Sequence, residues 1–351
     1  MPLRVHIFNN IRATNDASGT ELFYGASSNF SLLQHLNVHL PTQTVLAPHP
    51  EVIANGVQDG GESIRRYNYQ SLVFDSLVPP VQRVANSALI SYDLAKAYLR
   101  NFLLTASHRT PFLEQDRLCS IFELLYTPGD DSSLQPSDKS IVIIALAIGA
   151  TPSTDSPCRQ HLIAQARAEA ESKLYDISLK AVQIALLMAQ CEFDAGNSNI
   201  CYLQLGGAIR KSFAAGLHRA ASLEAKQTMW TLFCNESLIC FMLGRQPVLK
   251  EEDIAIPTVE EVSYISSFVR LCIIVQSAYR IYCSKDASSM VDDLDLAHSI
   301  NRQLCEFSSI LTANLALDIG GPLYALTGEK LSWHITISYR NSSPRSHVGW
   351  N

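Results

Sequence analysis

Three consecutive helices with clearly marked ends constrain the fold more than any other feature of this chain, and they are predicted within residues 178–257. Ser178 stands before an apolar run and has a side chain that suits the N-cap position of a helix. Gly196 follows the same run, where a glycine commonly ends a helix. The pattern therefore predicts a first helix with a defined start and a defined end.

The second and third helices follow after short connections. The second is predicted to begin near residues 197–198 and to end at Gly216, because a residue without Cβ takes the left-handed conformation at low cost. The third opens after Ser222 and ends at Gly244. Short connections favour antiparallel neighbours, so a helical bundle is predicted. The residues expected to be buried are Leu205, Ala208, Ile209, Phe213 and Leu217 in the second helix, and Trp230, Phe233, Cys234, Ser237, Leu238 and Phe241 in the third.

Helical periodicity continues on both sides of this stretch. Pro111 suits the first position of a helix, Ser137 or Asp138 suits the cap of the next, and Ser156 with Pro157 forms an N-cap and first position. No strand alternation of useful length is evident, so the predicted fold class is all-α. The predicted helices cover residues 92–104, 111–125, 141–150, 158–174, 264–283, 291–317 and 330–339.

Composition divides the chain into three parts. Residues 1–91 are rich in proline and glycine and are predicted to be irregular, residues 92–339 form the helical domain, and residues 340–351 are a polar tail. Within the first part, the sequence Tyr-Gly-Ala-Ser-Ser at residues 24–28 predicts a turn that leads into a short helix over residues 30–38.

A set of residues in the helical part carries a resemblance to a known family. In combination, this set resembles the fungal-specific transcription factor domain, or middle homology region, of fungal zinc-cluster transcription factors, with the best match over residues 92–257. The Tyr-Gly-x-Ser-Ser stretch often precedes that domain. The resemblance implies a bundle-like regulatory domain of a nuclear transcription regulator. The matching residues include Tyr98, Phe102, Tyr202, Gly216, Leu217, His218, Arg219, Trp230, Gly244, Arg245, Pro247, Asp253 and Pro257.

The zinc-binding DNA reader of that family has no counterpart in this sequence. The family's module holds two zinc ions with six cysteines near the N-terminus and opens with Cys-x2-Cys, whereas the first cysteine here is Cys119. We therefore expect no cofactor in this chain and contact with DNA only indirectly or through a missing zinc module. The family's apolar continuation after residues 333–339 is also absent. These departures predict an incomplete or altered version of a longer regulator.

Charge and cysteine spacing exclude several classes of protein. Lys and Arg total 27 against 33 for Asp and Glu, giving a net charge of −6, and no basic run is present. Autonomous nucleic-acid binding is therefore not expected, because it needs a concentrated basic surface. The nine cysteines show no paired spacing, which predicts reduced thiols in an intracellular protein. The most apolar run, residues 141–150, is shorter than the ~20 residues of a membrane span, so no membrane association is expected.

Signals for catalysis are few. The sequence lacks a nucleophile elbow, a phosphate-binding loop and a dinucleotide fingerprint. Asp292, Asp293 and Asp295 allow a magnesium interpretation, as in helical prenyl-diphosphate enzymes, but acidic residues also favour the start of any helix. His218 follows a helix end and is expected to have a structural C-cap role.

Two residues of the motif have specific expected roles. Arg245 is predicted to form a structural ion pair with Glu251, Glu252 or Asp253 across a tight loop, with a ligand anion as the alternative partner. Trp230 is predicted to lie in the core, as a large aromatic residue on a buried stripe usually does.

Three functions remain open at this point. The preferred one is a transcription regulator of the fungal zinc-cluster type that lacks its own DNA reader and is not an enzyme. The alternatives are a helical enzyme of terpenoid-like secondary metabolism and a ligand-binding or interaction module without a transcriptional role. A homodimer or a protein partner is expected through Trp333 and Ile335, and a small-molecule effector through a pocket between helices.

Overall fold

The computed structural model describes residues 11–15, 20–25, 27–29, 31, 90–127, 134–151, 156–255, 264–283 and 290–315. Among these residues the fold is all-α, as predicted, with nine α-helices and one short hairpin. The strands are β1 (Ile11–Asn15) and β2 (Thr20–Tyr24). The helices are α1 (Tyr92–Thr105), α2 (Gln115–Tyr126), α3 (Pro136–Gly149), α4 (Ser156–Ser172), α5 (Leu179–Asp194), α6 (Ser198–Ala214), α7 (Leu223–Leu243), α8 (Tyr264–Cys283) and α9 (Met290–Leu315).

The core is built around α3 and α5. Every residue of α3 from Ser140 to Gly149 is buried, and α5 is buried from Ala181 to Glu192. α3 packs against α1, α4 and α5, while α5 packs closely against α6. α7 lies between α6 and α8, and α9 packs on α8. Because apolar side chains lose most by exposure to water, these two helices, whose buried stretches are largely apolar, occupy the centre.

The helix ends in the middle of the chain follow from local chemistry. The hydroxyls of Ser178 and Ser222 each accept a hydrogen bond from the backbone N–H three residues later, at 3.2 and 3.3 Å. Gly196, Gly216 and Gly244 have φ angles of 87°, 69° and 66° and follow the ends of α5, α6 and α7. The ends that the sequence predicts for these three helices are therefore confirmed.

Two predicted helix starts are wrong by several residues. Pro111 lies in a turn, and α2 begins only at Gln115. The backbone N–H of Leu113 donates to the carbonyl of Thr110 at 2.9 Å, so the chain completes this turn before the helix starts. The apolar helix α3 begins at Pro136, not after Ser137 or Asp138. Proline suits that first position because its missing N–H would have had no helical partner.

The N-terminal part contains a hairpin where an irregular segment was predicted. β1 pairs with β2 in antiparallel register, with Ile11 opposite Tyr24 and Asn15 opposite Thr20. An isolated two-stranded hairpin is only marginally stable in water. Here Tyr24 is fully buried against the helical core. Packing against the helices therefore stabilises the hairpin, and this stabilisation is not visible in the local sequence pattern.

Several predictions fall on residues that the structure does not describe. The helix over residues 330–339, the polar tail and most of the helix over residues 30–38 lie outside the described ranges. The division of the chain into three parts therefore stays a prediction. No helix in the described ranges is long and apolar enough to cross a membrane.

Candidate functional site

The hairpin meets the helical domain at the C-terminal end of α7. The backbone N–H of Gly25 donates to the carbonyl of Leu243 at 3.1 Å. Gly244 follows in the left-handed conformation and turns the chain away from the helix. A Cβ atom on Gly25 would lie 1.9 Å from the carbonyl oxygen of Gly244, so the two backbones touch only because neither residue has a side chain.

Arg245 follows Gly244 in the sequence, and its side chain stabilises this contact. Its Nε donates to the carbonyl of Phe23 at 3.1 Å, and its Nη2 donates to Oδ1 of Asn199 at 2.5 Å. The guanidinium lies 4.6 Å from the ring centroid of Tyr202 and 5.5 Å from that of Tyr24. Asn199 in turn donates from Nδ2 to the Tyr24 hydroxyl at 2.9 Å. We call this arrangement the clasp; its residues are Tyr24, Gly25, Asn199, Tyr202, Gly244 and Arg245.

The ion pair predicted for Arg245 is wrong. No described carboxylate lies within ion-pair distance of its guanidinium. Of the three acidic residues proposed as partners, Glu252 pairs with Lys250 at 3.3 Å, and Asp253 accepts from the Lys250 backbone N–H at 2.9 Å. Because the chain leaves α7 in a left-handed turn, Arg245 faces the hairpin and α6 instead of the loop ahead of it.

A short serine-rich turn extends the clasp. Ser27 donates from its hydroxyl to the carbonyl of Phe241 at 3.3 Å, and Ser31 donates to the carbonyl of Gly25 at 2.9 Å. The backbone N–H of Ser28 also donates to Gly25, at 3.0 Å. The turn predicted at this stretch is therefore confirmed, and it lies against the last turn of α7.

A buried carboxylate of α7 binds the backbone of the loop after Arg245. Glu236 of α7 accepts hydrogen bonds from the backbone N–H groups of Val248 at 2.8 Å and Leu249 at 2.9 Å. Burial raises the pKa of Glu236, and the two N–H donors oppose that shift only in part. Gln276 of α8 donates to the Leu249 carbonyl at 3.0 Å and to the Ser237 hydroxyl at 2.8 Å. The loop is thus tied to both α7 and α8.

The Gly-Leu-His-Arg motif forms a structural corner before α7. Leu217 is buried, and the His218 carbonyl accepts from the backbone N–H of Ala255 at 3.1 Å. The His218 ring packs against Phe213 with centroids 4.8 Å apart, and its buried Nδ1 has no hydrogen-bond partner. The C-cap role of His218 stays a prediction. Phe213 is 37% exposed, so the prediction that it lies on the buried face is wrong. Arg219, the last residue of the motif, is also exposed.

Trp230 lies in the core of the bundle. It is 2% exposed and packs edge-on against Phe233, with centroids 5.6 Å apart and an interplanar angle of 83°. α7 is buried on nearly all sides, so the single buried stripe predicted for it is too narrow. Of the two prolines in the motif, Pro247 is half-buried in the loop after the clasp, and Pro257 lies outside the described residues.

Sequence reasoning missed two polar residues of this region. Asn199 joins Arg245 to the hairpin, and Glu236 holds the following loop. Both are polar residues at positions that the structure buries. A polar residue within a buried helix face was the available signal, since such a group needs a partner.

The described residues contain no metal-binding cluster, and three of their buried thiols are unreactive. No cluster of three or more His, Cys, Asp or Glu side chains that could hold a metal occurs among them. Burial raises the pKa of the Cys191 thiol to about 12 and also raises the pKa values of Cys234 and Cys240. Thiols of this kind stay protonated at neutral pH and are poor nucleophiles.

Comparison with known proteins defines the class. The sequence model of the family described as "Fungal specific transcription factor domain" matches residues 98–271, a segment that contains Arg245 and the helices from α2 to α7. Residues 98–271 thus have the sequence pattern of a domain that occurs in transcription regulators.

One curated relative is similar over a longer segment. It is "Zinc finger protein grt1" of Schizosaccharomyces pombe, which is 24% identical over 281 residues. The alignment covers 72% of this chain and 41% of that protein, so the chain spans well under half of its relative's length. No solved structure matches the chain.

Proposed function

We propose that this chain acts in the nucleus as the regulatory part of a zinc-cluster type transcription regulator and that it is not an enzyme. The observation that carries the proposal is the family match over residues 98–271, which includes the residue that fastens the hairpin. The relative that is itself a zinc finger protein supports it. With a net charge of −6, contact with DNA is proposed to be indirect or through a zinc module.

The clasp is the part of the structure best suited to transmit a signal. It joins the hairpin, which lies in the N-terminal part, to the ends of α6 and α7 in the helical domain. The interaction uses one arginine, two aromatic rings and a contact between two glycines. An interface of this kind can open without unfolding the helices, because its polar contacts lie at the ends of α6 and α7.

A partner is also part of the proposal. We infer a homodimer or a protein partner with Trp333 and Ile335 as anchors, both of which lie outside the described residues. Light scattering of the wild type and of a Trp333→Ala, Ile335→Ser variant tests this. The wild type is expected to self-associate or to retain a nuclear partner that the variant loses. A monodisperse monomer for both, with no partner recovered, contradicts it.

A reporter assay tests the regulatory role. The chain is fused to an unrelated DNA-binding domain in a fungal host, and transcription is compared with that of the DNA-binding domain alone. We expect the fusion to change transcription and Arg245→Ala to shift the level at equal protein abundance. Arg100→Ala, which alters an exposed arginine of α1, is the matched control and should behave as the parent. Transcription equal to that of the DNA-binding domain alone contradicts the proposal.

No finding favours the alternative of a helical enzyme of secondary metabolism. A small-molecule effector stays a proposal, and thermal shift measurements with candidate metabolites test it, since a ligand of the native state raises its stability.

A further inference from the structure

One largely exposed segment lies outside the clasp and contacts the core only through Ala220. Residues 219–223 read Arg-Ala-Ala-Ser-Leu and connect the corner at His218 to the first turn of α7. Arg219, Ala221 and Ser222 are exposed, and Leu223 is 60% exposed although it is a large apolar residue. A basic residue, a hydroxyl and an apolar side chain are thus presented together at the surface.

The backbone is extended at Ala220 and at Ser222, after the short 3-10 turn Leu217–Arg219. Ala220 has φ −73° and ψ 140°, and Ser222 has φ −66° and ψ 143°. The Ser222 oxygen accepts a hydrogen bond from the backbone N–H of Ala225 at 3.3 Å, which uses a lone pair of the oxygen and not its proton. An enzyme that binds extended peptide can therefore reach this hydroxyl after only the first turn of α7 loosens, and helix ends loosen readily.

We propose that Ser222 is a phosphorylation site for a basophilic serine kinase. Such a kinase has an acidic site that binds an arginine three residues before the serine and an apolar pocket for the residue after it. Arg219 and Leu223 occupy those two positions. In the reaction the Ser222 hydroxyl oxygen bonds to the γ-phosphorus of ATP, the bond between that phosphorus and the β-phosphate oxygen breaks, ADP leaves, and the hydroxyl proton passes to the kinase's base.

Phosphorylation of Ser222 would add negative charge near the N-terminal ends of α5 and α7. A phosphoserine carries about −1.5 to −2 charges at pH 7. It would stand two residues before Glu224, which accepts from Lys180 of α5 at 3.2 Å and from Gln183 at 3.0 Å. The positive end of the α7 dipole attracts the new charge and Glu224 repels it. Modification therefore acts on the polar contact between α5 and α7.

Two other serines provide matched controls within the same chain. Ser178 is also an exposed N-cap followed by a leucine, but Tyr175 stands three residues before it. Ser120 has Arg117 three residues before it and Ile121 after it, yet it lies inside α2. The Ser120 hydroxyl donates to a backbone carbonyl at 2.8 Å, and Ile121 is buried. Ser178 thus lacks the arginine, and Ser120 lacks the extended, exposed backbone.

The experiment uses the purified folded chain, ATP and the catalytic subunit of cAMP-dependent protein kinase as the basophilic probe. Initial rates at each serine are measured by mass spectrometry, and circular dichroism checks that each variant is folded. We expect phosphorylation at Ser222 to exceed that at Ser178 and Ser120 by about tenfold or more, because specificity is a difference in binding free energy. Arg219→Ala should lower the Ser222 rate by a similar factor, and Ser222→Ala should abolish the signal.

Each opposite result overturns the proposal. Absence of phosphate at Ser222 in the folded chain shows that the site is not a substrate. An equal rate at Ser178, or an unchanged rate in Arg219→Ala, shows that the arginine is not recognised. An equal rate at Ser120 shows that only unfolded chain reacts, since Ser120 lies inside a helix.

Discussion

Gly25 and Gly244 are in direct main-chain contact although they lie far apart in the sequence. A Cβ atom on Gly244 would lie 2.5 Å from the Cα of Gly25, and a Cβ on Gly25 would lie 1.9 Å from the Gly244 carbonyl oxygen. Both distances are well inside van der Waals contact. The hairpin can therefore rest on the end of α7 only while both positions are glycine.

We expect Gly25→Ala to displace the hairpin from α7 and leave the helices in place. Overpacking of this kind costs about 1–3 kcal/mol. Hydrogen exchange should accelerate at the amide of residue 25, which donates to Leu243. Gly207→Ala is the control: a Cβ there has no neighbour within 4 Å, and the change should stabilise α6 by about 0.5–1 kcal/mol. Unchanged protection of the hairpin in Gly25→Ala would contradict the contact.

Stability should depend on pH through Glu236. Burial raises its pKa in the folded state, so its contribution is fully present below the ordinary carboxyl pKa of about 4.3 and is lost as pH rises through the raised value. Glu236→Gln removes this titration. The stability of wild type relative to the variant, measured by urea unfolding, should therefore decrease from pH 4 upward. An increase would mean that the hydrogen bonds from Val248 and Leu249 outweigh burial.

The buried ion pair between α4 and α5 should be far more sensitive than an exposed one. Arg167 donates to Glu192 from Nε at 2.6 Å and from Nη2 at 2.9 Å, and Glu192 is 1% exposed. Arg167→Met leaves this carboxylate buried without its charge partner and should cost about 3–5 kcal/mol. Lys250→Met, which breaks an exposed pair with Glu252, should change stability by less than about 1 kcal/mol. Equal costs in chemical unfolding would refute the distinction.

Trp230 should matter through its volume and not through its indole N–H. Its Nε1 is buried and has no hydrogen-bond partner. Trp230→Ala should cost about 3–5 kcal/mol in urea unfolding because it leaves a cavity beside Phe233. Trp230→Phe should cost less than about 1.5 kcal/mol because it removes an unpaired polar group together with part of the ring. If the phenylalanine variant were as unstable as the alanine variant, the indole nitrogen would have a partner.

The fold class and the ends of the central helices could be predicted from the amino-acid sequence. Ser178 and Ser222 cap helices, and Gly216 and Gly244 end them, because capping and positive φ depend on groups within a few residues along the chain. The burial of Trp230 could likewise be read from helical spacing. Local rules were less reliable where several starts were acceptable, as at Pro111, since proline serves equally well in a turn and in a first helical turn.

The partners of Arg245 could not be predicted from the sequence, because they are distant along the chain. Its bond to the Phe23 carbonyl joins residues 222 positions apart, and the Asn199–Tyr24 bond spans 175 positions. The carboxylates that follow Arg245 in the sequence led to the prediction of a local ion pair. A guanidinium, however, binds whichever acceptors and aromatic rings lie next to it in the folded chain. The direction of the chain after Gly244 points Arg245 toward those partners. The partners are present at that place only because the hairpin and α6 pack against the end of α7.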